Sequence, residues 1–248
     1  GTLVCFRPDP VLLRAATQLV TTMEFTDWEP IYEAILADFG FDRDADEAVR
    51  DRAAAFAAPF DLDRLDCSGE TVAVAGAGPS LEADAEIDRA READLVFAAS
   101  TATDRLAAEG VAVDAMVTDL DKNPATGLER TDRGEVVVAH AHGDNGDLVD
   151  EWLPRYDAAH TLVTTQAAPV DAVANFGGFT DGDRAAFLAD HCGAQRLVFP
   201  GWDFDDPDVG GMKARKLDWA ERLLHLLERC RGERFAVLDG RRDGIDSL

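Results

Sequence analysis

The chain has 248 residues and a formal net charge of −25, from 49 Asp and Glu against 24 Lys and Arg. Its length suffices for one large domain, or a domain with a smaller appendage. The acidic excess argues against nucleic acid and anionic membranes as partners, since both are bound through cationic neutralisation of phosphates. No apolar stretch reaches the length of a bilayer span and no leader is recognisable, so a cytoplasmic protein is expected.

Residues 1–68 read as a small helical N-terminal region. Asp9 can cap a helix through Val11, Leu12, Ala15, Ala16 and Leu19; Thr26 or Asp27 can cap a second through Trp28, Ile31, Ile35 and Leu36, ended by Gly40. A third is expected over 44–57, before Pro59. Their apolar stripes suit a cap or an interface, with Trp28 and Tyr32 in the core.

From residue 69 to 248 the pattern changes to short β-branched runs at 71–75, 94–98, 114–118, 135–140, 161–165 and 196–199, with helices near 80–92, 101–109, 144–153, 181–191 and 211–229. This predicts an α/β catalytic domain with a mostly parallel sheet flanked by helices. Ligands of such sheets bind beyond the carboxyl ends of the strands, so chemistry is expected there.

The first strand ends in Gly76-Ala77-Gly78-Pro79-Ser80-Leu81. Gly76 and Gly78 allow close approach of a ligand, and Ser80 opening a helix offers amides to phosphate; a tight turn with a Ser cap is the structural alternative. A dinucleotide or methyl-donor site would want an acid at the tip of the second strand, and that tip reads Ala98-Ala99-Ser100-Thr101.

The third strand runs into Asp119-Leu120-Asp121-Lys122, before a turn at Asn123-Pro124. Where a strand gives way to a loop, carboxylates at i and i+2 can converge, and the pair calls for a hard cation such as Mg²⁺. A solvated acidic turn is the alternative. The fourth strand delivers His140, His142, Asp144, Asn145 and Asp147 to an equivalent place. Asp144 or Asn145 can simply cap the next helix; the paired histidines would suit a transition metal, whereas carboxylates from two strand ends favour Mg²⁺.

After the fifth strand, Asn175-Phe176-Gly177-Gly178-Phe179-Thr180-Asp181 suggests a loop covering a flat ring, while Thr180 and Asp183 have capping-box spacing. In the last helix Leu217, Ala220, Leu224 and Leu227 form the expected buried stripe, with Lys213 and Lys216 on the same side. Lysines there want an anion, unless the first turn projects past the core and both reach water. The chain's three lysines, Lys122, Lys213 and Lys216, thus all adjoin proposed site segments. Cys5, Cys67, Cys192 and Cys230 lack zinc-site spacing and are expected as reduced core residues.

Taken together, the segments 76–81, 117–121, 140–145, 175–184 and 201–217 resemble the archaeal 6-hydroxymethyl-7,8-dihydropterin pyrophosphokinases, distant relatives of thiamine pyrophosphokinase. Thiamine pyrophosphokinases carry a C-terminal β-sandwich, which is not expected after the last helix of this chain. The resemblance implies Mg²⁺-dependent transfer of diphosphate from ATP to a pterin alcohol, releasing AMP, on the way to folate or methanopterin. It implies a thiamine pyrophosphokinase-like catalytic domain and a homodimer. On this reading Asp119, Asp121 and Asp144 hold Mg²⁺. Lys122, Lys213 and Lys216 balance phosphate charge. Gly76, Gly78, Ser80 and Asn145 line the nucleotide side, and Asn175, Phe179 and Asp181 form the pterin pocket. A diphosphotransferase for thiamine or another alcohol, and a non-catalytic nucleotide-binding module, are the alternatives.

Acidic residues spread along the whole chain, with few lysines, match a salt-adapted surface whose self-repulsion is screened by salt. The melting temperature should therefore rise by several degrees between about 0.1 M and about 2 M KCl; a flat profile in calorimetry would contradict this.

Overall fold

The computed structural model describes residues 23–246 and 248. The helix expected over Val11 to Leu19 lies outside them. The first described helix, α1 (Phe25–Phe39), buries Trp28, Tyr32, Ile35 and Leu36 at helical spacing. It starts slightly earlier than expected, after Glu24, whose side chain makes no cap hydrogen bond. Gly40 closes it with φ at 71°, the left-handed conformation that glycine adopts without strain. The next helix, α2 (Arg43–Ala54), is capped by Asp42, which accepts from the Asp44 amide.

Six strands follow: β1 (Thr71–Ala75), β2 (Leu95–Ala99), β3 (Ala115–Thr118), β4 (Val136–Ala141), β5 (Thr161–Thr165) and β6 (Arg196–Val198). Every pairing is parallel, in the order β5-β4-β3-β2-β1-β6. The connecting helices are α3 (Asp84–Arg91), α4 (Ala102–Ala108), α5 (Pro124–Asp132), α6 (Gly146–Trp152), α7 (Asp181–His191) and α8 (Gly211–Arg231). The sheet is therefore wholly parallel within an α/β fold, as its Val- and Ala-rich strands buried on both faces require.

One helix was not expected. Asn123-Pro124 reads as a turn, but Pro124 is the first residue of α5, where its missing N–H costs nothing and its fixed φ suits the helix. The buried guanidinium of Arg130 ties α5 to the sheet by donating to the Val113 carbonyl at 2.6 Å.

Alternation along the strands divides the core into two faces. Val72, Val74, Phe97, Val117, Val138 and Leu162 pack with α1, α7 and α8. Their neighbours Ala73, Val96, Met116, Val137 and Val163 meet the helices of the opposite face, α2 to α6. The helix α7 is buried along nearly its whole length. Because α1 lies on one face and α2 on the other, the link at Gly40–Asp42 crosses the carboxyl edge of the sheet. The crossing is pinned near β4 and β5: Trp28 Nε1 donates to the Gln166 carbonyl at 2.9 Å, and Asp46 accepts from the Gly143 amide at 2.6 Å.

Of the described cysteines, Cys67 is buried, Cys192 partly buried and Cys230 exposed, so the last departs from the expected core position. No helix among the described residues is long and apolar enough to cross a membrane.

His140, in β4, is enclosed by protein; its Nδ1 meets Thr164 Oγ1 at 3.0 Å and its Nε2 has no partner among the described residues. Burial, and then the charges of Arg184 and His142, hold its pKa well below 6.5, against the opposing pull of Asp119. The unfolded ring takes up a proton as the pH falls through that value and the folded ring does not, so His140's contribution is full above it and is lost below. Between about pH 7.5 and about pH 5.5 this amounts to about 1.4 kcal/mol. Urea unfolding should show wild type losing that much more stability than His140→Gln across the interval; parallel losses would contradict the assignment.

Candidate active site

Beyond the carboxyl ends of the strands lies a cavity of about 1150 Å³. The strand order places β3 between two halves of its floor. On one side are β2, β1 and β6; on the other are β4, β5 and the α1–α2 crossing.

The centre is built by an unusual turn. Leu120 is fully buried yet has φ at 68°, a conformation that costs a branched residue free energy and persists only where its surroundings fix it. Thr118 Oγ1 accepts from the Leu120 amide at 3.0 Å, and Asp119 Oδ1 accepts from the Asp121 amide at 3.3 Å. With Leu120 turned into the core, Asp119 and Asp121 both reach the cavity wall.

Burial disfavours charge on Asp119, but hydrogen bonds from His142 and Asp121, and the nearby Arg184, outweigh it and keep this carboxyl far below the usual range. His142 Nε2 stands 3.7 Å from Asp119 Oδ2, while its Nδ1 accepts from the Asp144 amide at 3.3 Å. That second bond leaves the ring proton on Nε2, facing the carboxylate. Asp121 is raised by burial and by Asp119. Asp181, at the start of α7, is pushed up to about 8 by burial and then by Asp119, against the opposing charges of Arg184 and Lys122. Arg184 Nη1 lies 3.1 Å from Asp181, and Lys122 Nζ 3.1 Å from Asp121. Burial opposes the charge of Lys122 too, yet Asp121, Asp181 and Asp119 keep its pKa above the ordinary value. The cluster is thus acid-rich and short of counter-charge.

Ten of the thirteen residues singled out from the sequence line this cavity: Gly76, Gly78, Asp119, Asp121, Lys122, Asp144, Phe179, Asp181, Lys213 and Lys216. The other three are placed elsewhere by their own hydrogen bonds. Ser80 gives its amide to Asp203 Oδ2 at 2.8 Å, so this donor is spent within the chain rather than offered to phosphate. Asn145 is buried and knits loops together: its Nδ2 donates to the Asp119 and His140 carbonyls, both at 2.8 Å, and its Oδ1 accepts from the His142 amide. Asn175 donates to the Ala167 carbonyl and accepts from the Gly177 amide, both at 2.8 Å. These two side chains brace the cavity instead of lining it.

Two further expectations are modified. Gly76 and Gly78 do reach the cavity, but their lack of a side chain serves a loop-to-loop contact. A Cβ at Gly76 would come 2.6 Å from the Gly201 carbonyl, and one at Gly78 would collide with Asp203. The buried stripe of α8 is Trp219, Ala220, Leu223, Leu224 and Leu227, with Leu217 only partly buried and Lys213 exposed. The first turn of α8 overhangs the sheet, so Lys213 and Lys216 meet the cavity rather than the core. Lys216 Nζ sits 5.7 Å from the centre of the Phe179 ring.

The expected capping box is present: Asp183 accepts from the Phe179 and Thr180 amides and the Thr180 hydroxyl. It fixes the loop that carries Phe179 and Asp181.

Asp119, Asp121 and Asp144 share the cavity, yet among the described residues no three His, Cys, Asp or Glu side chains form a ready-made metal cluster. Their oxygen donors fit a hard ion completed by water and phosphate, as Mg²⁺ usually is.

Among the cavity residues that sequence reasoning passed over are Phe41, Asp46, Arg105, Gln166 and Arg184. Arg105 Nη1 donates to the Gly78 carbonyl at 3.1 Å, which brings a cation to the glycine loop. Nothing in local spacing marks Arg105 or Gln166. A buried acid on the apolar side of a helix was the available signal for Asp46, one turn after the Asp42 cap.

Comparison with known proteins identifies the family. A family model described as 6-hydroxymethylpterin diphosphokinase MptE-like matches residues 55–209. Among similar proteins is the 6-hydroxymethyl-7,8-dihydropterin pyrophosphokinase of Methanothermobacter thermautotrophicus, 40% identical over 225 residues, 84% of this chain and 96% of the relative. Proteins of the same name from Pyrococcus furiosus and Methanocaldococcus jannaschii are 37% identical over 229 residues and 31% over 232, each covering 83% of this chain and 95% and 96% of their own. With the family model matching more than half of the chain and the relatives matching most of it, the chain belongs to the MptE-like 6-hydroxymethylpterin diphosphokinase family.

Proposed function

We propose that the protein transfers diphosphate from ATP to the hydroxymethyl oxygen of 6-hydroxymethyl-7,8-dihydropterin, releasing AMP. The observation that carries this reading is the Asp119–Asp121 pair at the centre of a cavity large enough for two substrates, with cationic side chains on its walls. The relatives' names supply the acceptor.

In this reaction the acceptor oxygen attacks the β-phosphorus of ATP, the bond from that phosphorus to the α,β-bridging oxygen breaks, and AMP leaves with the electron pair. Asp119, Asp121 and Asp144 would hold Mg²⁺, which supplies neutralisation of the triphosphate charge. Arg105 beside the glycine loop, with Lys122, Lys213 and Lys216 on the cavity wall, offsets charge on the transferred group and on departing AMP. A cavity carboxylate accepts the hydroxyl proton. Phe179 and Asp181 belong to the acceptor's surroundings.

The test is AMP formation from ATP in molar KCl with Mg²⁺ and the pterin, alongside thiamine and no-acceptor controls. Pterin-dependent AMP is expected; AMP with thiamine alone would replace the acceptor, and AMP with neither would overturn the reading. Asp119→Asn and Asp121→Asn should keep the far-ultraviolet spectrum of wild type and lose about a hundredfold or more in turnover, and near-normal turnover in either would refute its metal role. Chelation should abolish activity and added Mg²⁺ restore it; activity surviving exhaustive chelation would remove the ion from the account.

A further inference from the structure

The cavity wall on the β4–β5 side contains an acid that the proposed chemistry does not use. Asp46 is 3% exposed, and among the described residues it makes no ion pair. Three donors surround it: the Tyr32 hydroxyl and Gln166 Nε2 reach its Oδ2, both at 2.7 Å, and the Gly143 amide reaches its Oδ1 at 2.6 Å. A carboxylate has about four acceptor positions, so one remains on Oδ1. Beside it, Gln166 Oε1 accepts, among the described residues, only a long 3.4 Å contact from Arg184. Both residues line the cavity, so two acceptors with spare capacity stand next to each other on its wall.

Phe41 and Phe179 add aromatic surface to the same cavity, with ring centres 6.5 Å apart, and Phe41 is itself backed by the stacked ring of Phe39 at 5.2 Å. A pair of acceptors beside aromatic faces selects a flat heterocycle that presents two adjacent N–H donors. An aminopyrimidinone edge does so through its 2-amino group and N3–H. The corresponding edge of adenine puts the lone pair of N1 next to its single amino group, and that lone pair would face the carboxylate. The glycine loop and Arg105, where a triphosphate is better served, lie on the other side of β3.

We infer that Asp46 and Gln166, beneath the α1–α2 crossing, form the specificity subsite for the aminopyrimidinone ring of the acceptor, and that Phe41 and Phe179 flank that ring. The assignment rests on the function proposed above and adds to it the residues that choose the acceptor. It makes the N-terminal helices part of substrate recognition. It also replaces Asn175, whose amide is spent on the chain, as the polar partner of the pterin.

The test compares 6-hydroxymethyl-7,8-dihydropterin with the dihydrolumazine counterpart, in which oxygen replaces the 2-amino group, in wild type, Asp46→Asn and Phe41→Ala. Wild type should prefer the pterin by about a hundredfold or more in kcat/KM. Asp46→Asn should shrink that preference at least about tenfold while the KM for ATP stays within about twofold. Phe41→Ala should raise the KM for the pterin by about tenfold, again without moving that for ATP. A folded Asp46→Asn with the preference intact, or with the change falling on ATP, would overturn the inference. Should Asp46→Asn not fold, Phe41→Ala decides it, and an unchanged pterin KM or a raised ATP KM refutes the subsite. Absence of pterin-dependent AMP from wild type would instead bring down the proposed function, and the subsite with it.

Discussion

Crowding of acid at the tip of the third strand is the constraint on which the rest of the site depends. Asp119 and Asp121 are brought to one place by the left-handed turn at Leu120, and Asp181 from the start of α7 is close enough for each to raise its proton affinity. Such a cluster is unfavourable unless positive charge or donors compensate. The chain supplies part of that through Lys122, Arg184 and His142. A substrate bringing Mg²⁺ with its phosphates would add to that compensation. The energy stored in the acid cluster is thus available for binding.

Geometry around this centre is fixed by loops that bond to one another. Trp202 Nε1 donates to the Val74 carbonyl at 2.8 Å, the Gly76 amide donates to the Pro200 carbonyl at 2.9 Å, and the Gly78 amide to the Gly201 carbonyl at 2.9 Å. These bonds weld the ends of β1 and β6, where the strand order reverses and such sheets open a crevice. On the opposite side Asn145 joins the β3 and β4 loops, and Asp46 joins α2, the β4 loop and the residue after β5. Side chains held in this way need little reorganisation when charge develops, which is the condition for effective electrostatic catalysis.

Much of this was readable from the residues. Strand periodicity located all six strands to within one or two positions, because parallel strands buried on both faces are continuous apolar runs. The convergence of the two acids after β3 was legible because side chains at i and i+2 can meet where a strand gives way to a loop. Helix α5 was not, since Pro124 marks both a turn and a helix start. The same ambiguity affected the polar residues of the loops. Asn145, Asn175 and Ser80 have the chemistry of ligands, but their partners are backbone groups distant in sequence, which spacing cannot reveal. Asp46, Gln166 and Arg105 were missed for the converse reason: each becomes part of the cavity only when separate elements fold together.

The role of the acid cluster is tested by a crystal structure with Mn²⁺, α,β-methylene-ATP and the pterin. An anomalous Mn²⁺ peak is expected against Asp119 and Asp121, with phosphates toward Arg105 and the glycine loop and the ring beside Phe41 and Asp46. A metal peak away from the β3 carboxylates, or the two substrates on exchanged sides of β3, would contradict it.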